Sequence, residues 1–232
     1  MLKTLPDNSS RRVLEVELKL ALGRVLLSTK GAADVEAGQI FEEAVELCRH
    51  LGRIDLHTRA LWGYWFNRAH RRELVWAENA IQEFLRLGPA PEPQCDPVVA
   101  GAMLGITRFW QGRFSEAQVN LQDALARWRP DNSNQLDLAI VSNHLDNHIR
   151  MQHCLALTCL GHLERAAAEA RLATQQALKL THLPTRAIVI AARCRHDYFV
   201  RDFGSLRETT KCLVTLAEEQ AFPFYLALGR CH

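Results

Sequence analysis

The stretch "LGITRFWQGRFSEAQVNLQDAL", Leu104 to Leu125, decides the fold. Small residues stand at Gly105, Gly112, Ala117 and Ala124, and large ones at Leu104, Phe109, Phe114 and Leu121 between them. Helix formers dominate both halves, and strand-like alternation is absent. Two antiparallel helices joined by a tight turn approach closely only where side chains are small. Gly112 fits the turn, because a left-handed backbone costs glycine little. Gly105 and Ala117 are expected to face each other across the hairpin. Phe109, Phe114 and Leu121 are then expected to fill the space between this hairpin and its neighbours. A hairpin of this kind leaves an apolar face open, so hairpins must stack.

Working outward, the same schedule recurs along the chain. "QHCLALTCLGHLERAAAEARLAT" places Ala166 five residues after Gly161, as Ala117 follows Gly112, and Ala173 seven later, as Ala124 does. "LWGYWFNRAHRRELVWAENAIQEFL" carries Arg72 at the glycine position yet keeps Leu74, Ala77, Ile81 and Leu85 in phase. A looser copy, "LALGRVLLSTKGAADVEAGQIFEEAVEL", places Leu22, Gly23, Leu26, Phe41 and Ala44 similarly, with a longer turn. Breaks rich in Pro, Gly or polar residues at 87–97, 129–137 and 181–184 read as inter-helix loops, because Pro removes a donor and restricts its predecessor. The fold class expected is all-α: a right-handed solenoid of stacked antiparallel hairpins, forming one domain over residues 1–232.

Composition sets the outer bounds. The 232 residues are 48% hydrophobic and 23% charged, with a net charge of +2, which is ordinary for a soluble globular chain. Basic residues are scattered among acidic ones, which argues against a nucleic-acid surface. No apolar run approaches a membrane span, and the start lacks the apolar core of a secretory signal. Seven cysteines without C-x-x-C spacing fit a reducing, cytoplasmic setting.

The order Leu104-Gly105, Gly112, Phe114, Ala117, Leu121, Ala124-Leu125, followed by Pro130, resembles the tetratricopeptide repeat (TPR). Arg108 departs from the aromatic usual there, and Gly112 to Gly161 spans 49 residues where the repeat period is about 34. A divergent TPR-like array is what this resemblance implies. The succession from "LALGRVLLSTKGAADVEAG" to "LGITRFWQGRFSEAQ" is also similar to the repeat region of bacterial STAND-type regulatory ATPases. In those proteins a nucleotide-binding domain precedes the repeats, often behind a nucleotide cyclase or winged-helix DNA-binding domain. The resemblance implies a role in sensing a signal or restraining an ATPase, with the chain a fragment of a larger multidomain protein. "FPFYLALGRCH" at the end, with Leu228-Gly229 echoing Leu104-Gly105, reads as the first helix of another hairpin.

Chemistry-bearing patterns are few. "LLSTKGAA" lacks the order of a phosphate loop, and neither a nucleophile elbow nor H-E-x-x-H occurs. In "NHLDNHIRMQHC", His144 and His148 share a helix face at i, i+4 and are candidate metal ligands, while Asp146 points about 200° away and reads as a capping or turn residue. Arg165 and Glu169 read as a solvated i, i+4 pair, and "RCRHDYFVRDF" as a salt-bridged helix face. Aromatics are the stronger lead. By repeat position Trp62, Phe66, Phe109 and Trp110 would face the concave groove of the solenoid and bind a partner, and Trp65 would face the hairpin interior. The function expected is a non-catalytic scaffold, without a cofactor, docking a protein or peptide or its own ATPase module. The alternative is a metal- or small-molecule-binding sensor using the concave face.

Overall fold

The computed structural model describes residues 8–87, 96–129 and 145–232. These residues are helical, and no strand occurs among them. The helices are α1 (Ser9–Lys30), α2 (Val35–Arg49), α3 (Ile54–His70), α4 (Leu74–Arg86), α5 (Pro97–Trp110), α6 (Phe114–Arg127), α7 (Leu145–Cys159), α8 (Leu163–Leu178), α9 (Leu183–Phe199), α10 (Phe203–Glu219) and α11 (Pro223–Cys231). They fall into two compact units, α1–α4 and α5–α11. In the first, α1 packs on α2 and α3, and α3 packs on α4. In the second, each helix packs on the next, and α7 and α9 also touch each other and α5 and α11 respectively. The expected breaks at 87–97 and 129–137 lie largely outside the described residues. The one at 181–184 separates α8 from α9, where Pro184 sits in the first turn and needs no donor.

One turn closes five of the joins. Arg72, Gly112, Gly161, Arg201 and Ala221 all have positive φ, between 53° and 81°. In each case the N–H of that residue donates three residues back and the next N–H donates five back. Gly112 N to Phe109 O (3.0 Å) and Arg113 N to Arg108 O (2.9 Å) show the pattern, as do Arg201 N to Tyr198 O (3.1 Å) and Asp202 N to Asp197 O (2.9 Å). This is the Schellman arrangement, which satisfies carbonyls left open at a helix C-terminus. The carbonyl of the following residue then accepts the first bond of the next helix, from Ala77, Ala117, Ala166, Leu206 or Leu226. The alanine noted five residues after the glycine is therefore fixed by hydrogen bonding as well as by packing. Ala77, Ala117 and Ala166 are fully buried.

The contacts inside the hairpin differ in partner from those expected. A Cβ on Gly105 would lie 2.5 Å from Leu121 Cγ, so Gly105 faces Leu121 and not Ala117. Leu121 therefore packs within its own hairpin, against Gly105. One turn earlier, Gly101 lies against Ala124. Phe109 and Phe114 meet beside the turn with ring centroids 5.5 Å apart.

In the first unit Phe41 of α2 is the wedge. Its ring would lie 2.7 Å from a Cβ on Gly23 of α1 and 2.2 Å from one on Gly63 of α3. The two glycines thus make room on both sides for one buried phenyl ring, 1% exposed. A side chain at either would displace it, since interiors are close-packed.

Two stability outcomes follow. Arg201→Gly removes the strain of a side chain in left-handed backbone and should raise unfolding free energy by about 1 kcal/mol in urea titration. A neutral or negative change would refute the strained geometry at Arg201. Gly63→Ala should lower stability by about 1–3 kcal/mol through overpacking against Phe41. A tolerated Gly63→Ala would mean that the ring is not seated there.

Candidate functional site

The aromatic residues singled out in the sequence occupy less open positions than expected. Trp62, Phe66 and Phe109 are buried, at 1%, 5% and 6% exposure. The reason in α3 is that twelve of its residues, from Leu56 to Ala69, are buried, so neither face of the helix is open. There Trp62 packs on Trp65 at 4.8 Å and on Phe66 at 6.5 Å, and Phe66 packs on His70 at 4.2 Å. Trp65 is fully buried. Phe109 is held between Phe114 and Trp110. Trp110 is half-buried, with the Arg195 guanidinium 5.7 Å over its ring.

His148 is 3% exposed, with its Nε2 3.4 Å from Gln152 Nε2. Its expected companion His144 lies outside the described residues. Among the described residues no three His, Cys, Asp or Glu side chains gather in a way that could hold a metal ion. Asp146 lies within the first turn of α7. Glu169 pairs not with Arg165 but with Arg150 of α7, at 2.9 Å, and His153 lies 3.5 Å from its other oxygen.

In the "RCRHDYFVRDF" segment Cys194, His196 and Asp197 are buried, while Tyr198, Phe199, Arg201, Asp202 and Phe203 are exposed. Asp197, 1% exposed, accepts from Arg193 Nε at 2.6 Å, Ser205 Oγ at 2.9 Å and Thr209 Oγ1 at 3.1 Å. A buried carboxylate is tolerated only with such full pairing. Its work is to join α9 to α10. Asp202 caps α10 through Ser205 N at 3.0 Å.

The first unit carries a cleft of about 200 Å³ between α2, α3 and α4. Tyr64 and Trp76 wall it, with Glu42, Glu46, Glu83 and Arg49 around them. Trp76 is 53% exposed, while Tyr64 is buried. The Arg68 guanidinium sits 4.9 Å from the Tyr64 ring and 5.8 Å from the Trp76 ring, so these faces already receive one cation. Arg49 holds Glu83 bidentately, at 2.9 and 2.6 Å, and also pairs with Glu46. Hydrogen bonds from Arg49 hold the Glu83 carboxyl below its ordinary range. Glu42 accepts from Arg68 at 2.9 Å. Three carboxylates, Glu42, Glu46 and Glu83, stand against two guanidiniums, Arg49 and Arg68, which leaves the cleft one net negative charge.

His57 completes this arrangement from below, its Nε2 3.0 Å from Glu83 Oε1. Burial pushes its pKa below 6.5, and Glu83 offsets this only in part. Burial likewise lowers that of His196, whose Nδ1 meets Thr158 Oγ1 at 3.0 Å.

Trp76 was not singled out in the sequence, although a signal was present. The inward phase of α4 is Ala77, Ala80, Ile81 and Phe84. Val75 and Trp76 fall outside it, and an indole off the buried stripe is a candidate contact residue. No known family model matches this chain, and no curated protein matches it.

The two histidines set a pH dependence. Each has a folded pKa below its unfolded one, so the folded state binds fewer protons. The stability they support is present above about pH 6.5 and is lost as pH falls towards their folded values. Urea midpoints should therefore decline from pH 7 to pH 5, and His57→Gln should flatten the slope. An unchanged slope in that variant would remove His57 from the account.

Proposed function

We propose that this chain is a helical-repeat scaffold that docks a protein partner and carries out no chemistry of its own. In this reading the hairpins α1–α2, α3–α4, α5–α6, α7–α8 and α9–α10 are divergent TPR-like units, stacked in a right-handed solenoid, with α11 packed on α10. Supporting it are the recurrence of one turn at five joins, the alanines buried at a fixed offset from it, and the contacts between alternate helices.

The observation that carries the docking role is the cleft between α2, α3 and α4. A half-exposed indole beside an electronegative lining suits a cationic side chain. Trp and Arg dominate the energetics of protein interfaces, and a cation over an aromatic face gains about 0.5–2 kcal/mol. The partner segment is therefore one that presents arginine or lysine.

Peptides of matched length bearing Arg, Lys or Glu side chains test it by titration against the whole chain, followed by NMR or intrinsic fluorescence. Basic peptides should perturb Trp76, and Trp76→Ala should weaken binding by about tenfold, equivalent to about 1.4 kcal/mol. Equal response to the acidic peptide, or binding indifferent to Trp76→Ala, would overturn the proposal.

A further inference from the structure

Two arginines hold carboxylates along the cleft between α2, α3 and α4, and they are held differently. The Arg68 side chain, 16% exposed, bonds both Glu42 and Glu73 and sits against the rings of Tyr64 and Trp76. Arg49, the last residue of α2, has a side chain 42% exposed. Its Nε and Nη2 donate to the two oxygens of Glu83, at 2.9 and 2.6 Å. Its Nη1 donates to Glu46, one turn back on the same helix. Arg49 therefore keeps a carboxylate within reach when it releases Glu83. Glu83 also has a second partner, because His57 Nε2 stands 3.0 Å from its Oε1 and fixes the carboxylate from beneath. Breaking the Arg49–Glu83 contact strands neither group, and an ion pair this exposed contributes little to stability.

Trp76 and Glu83 both line the cleft from α4. Seven residues apart, they lie two turns from each other on one side of the helix, about 10 Å along its axis. A segment with one basic residue over Trp76 thus carries a second residue to Glu83 at a fixed spacing. In a polyproline II segment, with about 3.1 Å per residue and three residues per turn, that is the third residue on. Once the first residue is seated, the second arrives at a high effective concentration, which favours its exchange with Arg49. Only an arginine reproduces what Arg49 gives up. Its planar fork donates two parallel bonds to one carboxylate, where a lysine ammonium offers a point charge.

We infer that the cleft reads two basic residues of one partner segment, about 10 Å apart. The first, arginine or lysine, lies over Trp76; the second is an arginine that displaces Arg49 from Glu83 and leaves Arg49 on Glu46. This rests on the docking role proposed for the cleft and adds the identity of the second residue recognised.

Capped tetrapeptides of sequence Arg-Pro-Pro-Arg and Lys-Pro-Pro-Lys, titrated against the whole chain, test it. The arginine peptide should bind about tenfold more tightly. Glu83→Gln should keep its helical circular dichroism and remove that preference, while both peptides still depend on Trp76. Arg49→Lys, which keeps the charge but loses the fork, should tighten the arginine peptide by about threefold. In nitrogen-15 NMR spectra the Arg49 Nε–H signal should move on adding the arginine peptide and stay in place with the lysine one. Equal affinity for the two peptides, or an arginine preference that survives Glu83→Gln, overturns the inference and leaves the Trp76 docking role standing. Weaker binding of the arginine peptide to Arg49→Lys overturns the displacement in the same way. Binding indifferent to Trp76→Ala, or no binding of either peptide to the unsubstituted chain and to Arg49→Lys, overturns the docking role and this inference with it.

Discussion

A helix that must reverse direction within three residues leaves open carbonyls at its end, and one left-handed residue resolves that constraint. The rest of this structure depends on it. At five joins the same pair of backbone bonds closes one helix, and the next carbonyl opens the following one. The offset between the left-handed residue and the first buried small side chain is thereby set by backbone geometry. Only Gly112 and Gly161 of the five are glycines; Arg72, Arg201 and Ala221 take the same conformation at an energetic cost that packing must cover. The turn at Ala221 joins α10 to α11 by the same pair of bonds.

This explains how much of the fold was legible in the sequence. Ala117 and Ala166 announce the hairpins because the turn forces them inward, and Arg72 could be placed at the glycine position from phase alone. Which residue meets which was less legible. Gly105 opposes Leu121 because the hydrogen bonds of the turn set the helix phase, and the spacing of small residues does not encode that rotation. The Phe41 wedge was visible only as a phenylalanine in register, since the room for it comes from Gly23 and Gly63 on two other helices.

The site was less legible than the fold, for a related reason. Position within a repeat tells which way a side chain points, but not whether that side is covered. Trp62 and Phe66 point where the pattern placed them only on paper, because α3 is enclosed on every side. Trp76, lying off the inward phase of α4, is exposed and walls a cleft with carboxylates around it. Buried charges such as Asp197 turn out to join helices, and their complete pairing leaves them no role towards a ligand.

The indole of Trp76 on α4 is open, whereas Trp62 and Trp65 on α3 are enclosed. Hydroxyl-radical footprinting of the whole chain, read by mass spectrometry at each tryptophan, tests it most directly. Trp76 should be oxidised readily, while Trp62 and Trp65 remain protected until the chain unfolds. Ready oxidation of Trp62 together with protection of Trp76 would contradict the account.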